Sequence, residues 1–461
     1  MISASSYTPE EPISAIATPL APGALGIVRT SGKNVIELVA KVFSRPKALK
    51  EAKGNTLVYG WIQDLSGNKI DEVMLGVYRS PKSFTGEEMV EVFCHGGTSP
   101  VLAIQKLFLS IGFSEAQRGE FSFRAYINGK SDLTKAEAIK EIIDSKTDTS
   151  RGRAADRLSG SLSAEILEIK NLIIRTIASI EAEIEYPEDE ETIADAFDST
   201  ELLKAKAMLE ELSASWASEK LYQDGAKIVL CGKTNAGKSS LFNILLKEER
   251  AIVSDIEGTT RDFIESWINF DGIPARLFDT AGLRETSDLV EKTGVERSYE
   301  LTEEADLILY LIDSSTGLTK DDEQILADLP QNIPLIKVWN KADKLSENAS
   351  QGKNQTSEKD NYAISAKTGF GLAELVAAVK EKLSKQGQTT RARAGLGSER
   401  QKISCDEALA SVNHAISSQE LGLDAVVQDL EDALDALAEL TGETSPDDIL
   451  ENIFSRFCVG K

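Results

Sequence analysis

Five short stretches of the chain carry residues whose types and order suit the chemistry of a nucleoside triphosphate. The run Gly232-Lys-Thr-Asn-Ala-Gly237-Lys238-Ser239 is a complete GxxxxGKS loop, and Asn235, Ala236, Gly237, Lys238, Ser239 and Ser240 would line the phosphates. In such a loop glycines let backbone amides wrap phosphate oxygens, the lysine neutralises β/γ charge, and the serine hydroxyl ligates magnesium. Asp279-Thr-Ala-Gly282 would bring a carboxylate near that magnesium and a glycine amide near the γ-phosphate. In Asn340-Lys341-Ala342-Asp343 the Asp343 carboxylate can accept from the N1 and N2 donors of guanine. Adenine offers neither donor and would leave that carboxylate unpaired, so the expected nucleotide is GTP. Ser365-Ala366-Lys367 would close over the base, and Gly258-Thr259-Thr260-Arg261-Asp262 supplies Thr260 for magnesium.

The hydrolytic step departs from the common pattern. Leu283 stands after Gly282, where many small GTPases place a glutamine that orients water, and a leucine cannot hold one. Arg284, Glu285 and Glu291 are the candidates for that task, against the alternative that a carboxylate here is only a solvated face. No arginine finger is evident to join Lys238 at the γ-phosphate. The side-chain carbonyl of Asn235 could meet a monovalent cation beside the phosphates, or Asn235 could be an ordinary loop residue.

These stretches need strands to aim them. Apolar strands are expected at 227–230, 275–278, 307–312, 335–339 and 362–364, alternating with helical segments, which is the pattern of a parallel α/β sheet. Residues 13–123 are Gly-rich and β-branched, with alternating stretches at 55–62 and 72–78, and read as an α+β domain. From 135 to 184 the apolar residues Ile139, Ile142, Ile143, Leu162, Ile166, Ile169, Ile173 and Ile177 recur at helical spacing. The acidic stretch 181–191, with Pro187 inside, reads as an exposed loop rather than a metal site, because like carboxylates repel. Residues 386–400 are polar and basic and read as a linker. Beyond them Leu423, Val426, Val427, Leu430, Leu434, Leu437 and Leu440 form one stripe ended by Gly442. Ser445 is then expected to cap a last helix with Pro446 at its first position. The simplest packing is a helical domain into which the α/β domain is inserted.

Composition bounds the partners. Of 461 residues 41% are hydrophobic and 27% charged, which excludes a disordered or collagen-like chain and suits two to four domains. Lys plus Arg number 51 against 75 for Asp plus Glu, a net charge of −24, so any RNA contact must be local or shared with a partner. Cys94, Cys231, Cys405 and Cys458 form no CxxC pair, and His95 and His414 are the two histidines. Neither a metal cluster nor a disulfide framework is expected, and a reducing cytoplasm fits. His95, beside Gly96-Gly97, reads as shaping a turn. The first residues lack the basic start and apolar run of a signal peptide, and no apolar stretch reaches the roughly 18 residues that would span a membrane.

Together with the carboxyl-terminal Cys458-Val459-Gly460-Lys461, the motifs GKTNAGKSS, GTTRD, DTAGLRE and NKAD resemble the MnmE (TrmE) family of tRNA modification GTPases. The resemblance extends over ATPLAPGALGIVRTSG, SFTGEEMVEVFCHGG and GEFSFRAYINGKSDLTKAEAI. It implies a multidomain α+β and α/β protein: a folate-binding, dimerising amino-terminal domain (1–125), a discontinuous helical domain (126–222 and 385–461) and an inserted Ras-like G domain (223–384). It also implies side-chain potassium ligands at Asn235, Ser254 and Thr259, a backbone ligand at Ile256, and Glu291 as the residue that orients water. Folate contacts would map onto Arg29, Glu91, Lys130 and Lys461. Arg29, Lys130 and Lys461 suit glutamate-tail and formyl oxygens, and Glu91 suits the donor-rich pterin edge. Cys458 in the tail would be a candidate reactive thiol.

The implied function is potassium-stimulated GTP hydrolysis coupled to addition of an aminomethyl-type group at C5 of the tRNA wobble uridine. The carbon would come from a tetrahydrofolate derivative in its 5-formyl or 5,10-methylene form. The work would be shared with a flavin- and NADH-dependent MnmG-type partner in a heterotetramer or larger complex. The alternative is a GTP-switched ribosome assembly or regulatory factor that does no carbon chemistry.

Overall fold

The computed structural model describes residues 11–185, 199–248, 264–279, 301–344, 360–386, 391, 393–418 and 422–461. They divide between two compact units, one of residues 1–140 with 434–461 and one of residues 141–433.

The first unit is built on six strands: β1 (Ile13–Ile16), β2 (Leu25–Gly32), β3 (Thr56–Gln63), β4 (Lys69–Tyr78), β5 (Glu88–His95) and β6 (Ser114–Glu115). Their order across the sheet is β3-β4-β5-β2-β1-β6. Along β4 the residues Val73, Leu75 and Val77 are buried, and they join Val90 and Val92 of β5 in one core under helices Val35–Ala40, Pro46–Glu51 and Thr98–Ser110. A one-residue slip would turn that apolar set outward, so the register is fixed. In that register β2 and β5 run antiparallel with Arg29 directly opposite Glu91. The carboxyl-terminal helix Asp447–Ser455 joins this unit through Leu450 and Phe454, which pack with Phe457 against Phe123, Leu133 and Ala136. It begins one residue later than the sequence suggests. Pro446 keeps a non-helical ψ of 148° and flanks the helix, and Ser445 Oγ is buried without a hydrogen-bond partner.

The second unit contains β7 (Ala226–Gly232), β8 (Ile264–Phe270), β9 (Ile273–Asp279), β10 (Leu307–Asp313), β11 (Leu335–Asn340) and β12 (Asn361–Ala363), in the order β12-β11-β10-β7-β9-β8. The five expected strands are all present and parallel, and Leu307 to Ile312 are buried throughout, as a strand covered on both faces requires. The strand absent from the expectation is β8, which pairs antiparallel with β9. Its signal is Asp271-Gly272, a two-residue hairpin loop in which both residues have positive φ (47° and 98°).

Helix Ser199–Asp224 leads into β7 and packs against helices Ser161–Glu185 and Glu399–Ser417. The periodic Leu162, Ile166, Ile169 and Ile173 are fully buried, as their spacing predicts. The second half of the expected linker behaves otherwise: Ala394, Gly395, Leu396 and Gly397 are buried. They lie over Glu219, which has no solvent exposure. Its carboxylate accepts from Arg153 Nη2 at 2.7 Å, Arg157 Nη1 at 2.9 Å and the Gly395 amide at 2.7 Å. Arg157 in turn donates through Nε to Glu141 at 2.9 Å. Glycine is required at 395, since an added Cβ would stand 2.0 Å from Ser215 Oγ.

Burial opposes ionisation of Glu219, but the hydrogen bonds from Arg153 and the charges of Arg157 and Arg153 outweigh it and hold the carboxyl below its usual range. Glu219→Ala is expected to cost about 3–5 kcal/mol by leaving Arg153 without its carboxylate and buried Arg157 with Glu141 alone, read as a lowered urea midpoint. The advantage of wild type over Glu219→Gln should be complete above the unfolded carboxyl pKa of about 4.3 and shrink as pH falls below it, because the native value is depressed.

Candidate functional site

The phosphate loop starts where β7 ends. Leu230 of β7 stands opposite Asp279 of β9 in the parallel ladder, which carries the two motifs to the same end of the sheet. There Ser239 Oγ, at the start of helix Lys238–Glu248, donates to Asp279 Oδ2 at 2.8 Å. A hydroxyl and a carboxylate so paired are a donor set that suits magnesium. Lys238 Nζ curls back to the Gly232 and Lys233 carbonyls at 2.8 and 2.9 Å, which holds its ammonium inside the loop that would receive phosphates. Asn235 has a left-handed backbone with φ of 64°, and its side chain has no hydrogen-bond partner among the described residues.

The base side is tied to the same loop. Asn340, at the end of β11, donates from Nδ2 to the Ala236 carbonyl at 2.9 Å and accepts at Oδ1 from the Ala366 amide at 3.0 Å. Lys341 Nζ reaches the Asn235 carbonyl and Asp313 Oδ2, both at 2.6 Å. Ser365 Oγ donates to Asp343 Oδ1 at 2.7 Å, and this bond chiefly holds the Asp343 carboxyl below its usual range. Lys367 is exposed, and its charge lowers Asp343 further. Two groups here escape sequence reading. Lys233 donates to Thr319 Oγ1 and, at 2.8 Å, to Asp321 Oδ2 at the head of helix Lys320–Asp328, and Asp313 fixes Lys341. Both depend on pairings between distant segments.

Ser254, Ile256, Thr259, Thr260, Gly282, Arg284, Glu285 and Glu291 lie outside the described residues.

A second convergence lies in the unit of residues 1–140 and 434–461. Arg29 Nε donates to Glu91 Oε1 at 2.7 Å, Tyr78 Oη donates to Glu91 Oε2 at 3.2 Å, and Arg29 Nη1 reaches the Gly460 carbonyl at 3.0 Å. The guanidinium lies 5.7 Å from the ring centres of both Phe84 and Phe121, a cation–π arrangement. The chain terminus is held in place by a bridge between Arg118 and Val459 and by the Phe121 amide, which donates to the Lys461 carbonyl at 3.2 Å. Burial first, then the like charge of Arg29, lowers the Lys461 ammonium pKa. Lys130 follows helix Glu120–Ile127, its amide bonded to the Ala125 carbonyl at 2.8 Å, and its stem lies beside Gly86. The aromatic neighbours Tyr78, Phe84 and Phe121 have no spacing that would reveal them in sequence.

Of the cysteines, Cys458 is exposed, while burial pushes the Cys94 thiol up to about 11 and those of Cys231 and Cys405 up to about 12. His95 bonds through Nδ1 to Asp71 Oδ1 at 2.7 Å. No group of three His, Cys, Asp or Glu side chains fit for a metal occurs among the described residues, and no described helix is long and apolar enough to cross a membrane.

Known proteins match this chain along its length. The family model described as GTP-binding protein TrmE N-terminus matches residues 12–130, and the MnmE helical domain model matches residues 133–458. The tRNA modification GTPase MnmE of Treponema denticola is 50% identical over 99% of each chain. Proteins of the same name from Treponema pallidum and Borrelia recurrentis are 42% and 39% identical, each again over 99% of both chains.

Gly237 has φ of 98°, and a Cβ there would stand 2.1 Å from Asn340 Nδ2. Gly237→Ala should therefore abolish GTP binding measured by fluorescent-nucleotide titration. Asp343→Asn should weaken GTP by about 100-fold or more while improving a xanthine nucleotide, whose C2 carbonyl can accept from the new amide.

Proposed function

This chain belongs to the MnmE family of tRNA modification GTPases, and from that premise we propose a potassium-stimulated GTP hydrolase that works as a cytoplasmic homodimer. Family membership makes it a GTP-hydrolysing enzyme of tRNA modification. In the finer reading it acts with a flavin- and NADH-dependent MnmG-type partner, in a heterotetramer or larger complex. Together they add an aminomethyl-type (carboxymethylaminomethyl) group to C5 of the tRNA wobble uridine, using a tetrahydrofolate one-carbon unit. Four segments divide the work: 1–125 for folate and dimerisation, 126–222 and 385–461 as the helical domain, and 223–384 as the G domain.

The observation that carries this reading beyond GTP hydrolysis is the Arg29–Glu91 pair capped by the Gly460 carbonyl and flanked by Phe84 and Phe121. Two aromatic rings beside one arm of a charged pair suit a flat, donor-rich heterocycle with an anionic tail. Glu91 would accept from the pterin edge, while Arg29, Lys130 and Lys461 would meet formyl and glutamate oxygens. The folate, when bound, would supply a one-carbon unit in its 5-formyl or 5,10-methylene form. Cys458 is the exposed thiol in the same tail.

In the G domain Asn340 and Asp343 would select guanine and Lys238 would neutralise phosphate charge. Ser239 and Thr260 would hold magnesium, and Asn235, Ser254, Thr259 and the Ile256 carbonyl would hold potassium. The Ser239–Asp279 pair and the Asn235 side chain, which has no hydrogen-bond partner among the described residues, support that assignment. When bound, the two ions would supply positive charge against the γ-phosphate oxygens, where the sequence offers no arginine finger. Glu291 would orient the attacking water, with Arg284, seven residues earlier, as a further catalytic candidate.

GTP turnover in potassium and in sodium at matched ionic strength tests the reading. Potassium should accelerate wild type, Asn235→Ala should lose that acceleration, and Glu291→Ala should bind GTP while turning over about 100-fold or more slowly. Arg29→Ala should lose binding of 5-formyltetrahydrofolate measured by calorimetry. Equal rates in both salts would instead favour the assembly-factor reading.

A further inference from the structure

The net charge of −24 is not spread evenly. Residues 41–53 hold Lys41, Arg45, Lys47, Lys50 and Lys53 against the single carboxylate Glu51. Lys47 and Lys50 lie three residues apart on helix Pro46–Glu51 and share a face, while Leu49 of the same helix is buried. Lys50 Nζ pairs with Glu37 of helix Val35–Ala40, whose next residue is Lys41. Arg79 is bound to the end of the lysine-bearing helix, donating to the Lys50 carbonyl at 2.6 Å and the Ala52 carbonyl at 3.0 Å. Lys82 follows in a turn closed by its amide on the Arg79 carbonyl at 2.8 Å. Chain neighbours and these bonds thus place seven cations on adjoining segments of the amino-terminal unit.

Three carboxylates oppose them: Glu37 pairs closely with Lys50, while Glu51 and Glu88 stand at the outer limit of an ion pair. Lys47–Glu51 at 3.9 Å is an exposed pair, and Arg79–Glu88 is 3.7 Å apart. Lys41, Arg45, Lys53 and Lys82 are exposed and have no ion-pair partner among the described residues. The guanidinium of Arg45 is set by its bond to the Tyr59 carbonyl at 3.0 Å. A local excess of cations on an acidic protein is where a polyanion meets attraction rather than repulsion, and phosphate contacts position such a ligand without reading its sequence.

We infer that this surface, Lys41, Arg45, Lys47, Lys50, Lys53, Arg79 and Lys82, grips the phosphate backbone of tRNA. The inference rests on the tRNA-modification reading above and names the surface that this chain itself contributes. Three of the seven, Lys41, Lys53 and Lys82, can be neutralised without breaking a described ion pair or side-chain hydrogen bond, whereas Arg45 is bonded to the Tyr59 carbonyl.

The test is binding of fluorescently labelled tRNA to the full-length chain across a KCl series. It compares wild type, K41Q/K53Q/K82Q, and the control K106Q/K220Q/K320Q, which removes equal charge from exposed sites elsewhere. The patch variant should bind about tenfold or more weakly at low salt, and its log–log salt slope should be shallower by about 2 to 3, near one for each phosphate left without its cation. The control should keep the wild-type slope, and thermal midpoints of all three should agree. Absence of salt-dependent binding by wild type, equal weakening in both variants, or a patch variant that loses only its flavin-dependent protein partner would each overturn the proposal. Complementation of a deletion strain separates the two readings. If wild type restores wobble modification while the patch variant binds tRNA as wild type does, only the surface falls. If wild type restores none, the modification reading falls.

Discussion

Asn340 is the residue through which the nucleotide site becomes a single object. Its amide donates to the phosphate loop at Ala236 and accepts from the segment after β12 at Ala366, so one planar side chain spans loops that arise from three strands. An amide suits this task because it offers a donor and an acceptor on opposite sides of one rigid group. The contact also dictates its neighbour: with Asn340 Nδ2 so close, position 237 has room only for glycine. Lys341 adds a second tie from the same strand end, carrying its charge between the Asn235 carbonyl and Asp313. The loop expected to hold phosphates and the motif expected to read guanine are thereby tied to residues at the end of β11.

The parallel sheet makes that coupling possible. In a parallel ladder all the strands end on the same side, so motifs separated by tens of residues emerge together. The pairing of Leu230 with Asp279 sets Ser239 within hydrogen-bond distance of the carboxylate. The helix that leads into β7 is fixed in turn by Glu219. A carboxylate with no solvent exposure carries a heavy desolvation cost, which two arginines and a backbone amide offset here. The segment around Gly395 is thereby tied to helix Ser199–Asp224, so the chain's return from the nucleotide fold is anchored beside its entrance.

In the amino-terminal unit the same logic acts across an antiparallel pair. Arg29 and Glu91 are 62 residues apart but directly opposite in register, and the last residues of the chain close over them. The tail is positioned by backbone bonds at Arg118 and Phe121 and by the Arg29 guanidinium on the Gly460 carbonyl.

The sequence by itself determined the nucleotide, since the residue types at Gly237, Lys238, Ser239, Asn340 and Asp343 carry their chemistry in any frame that brings them together. It also determined five of the six strands of that sheet and the buried stripe from Leu162 to Ile173, because hydrophobic periodicity is a local property. Family resemblance, not spacing, pointed to Arg29, Glu91 and Lys461. Tertiary structure alone decided which groups surround them and which ones hold the machinery. The aromatic flanks of Arg29, the link from Lys233 to Asp321, the burial of Glu219 and the conversion of a polar linker into a covered strap around Gly395 all come from contacts between distant segments. Polar residues of this kind look like surface until their partners are known, because the same charge that favours water when alone can be buried once an opposite charge and an amide replace that water.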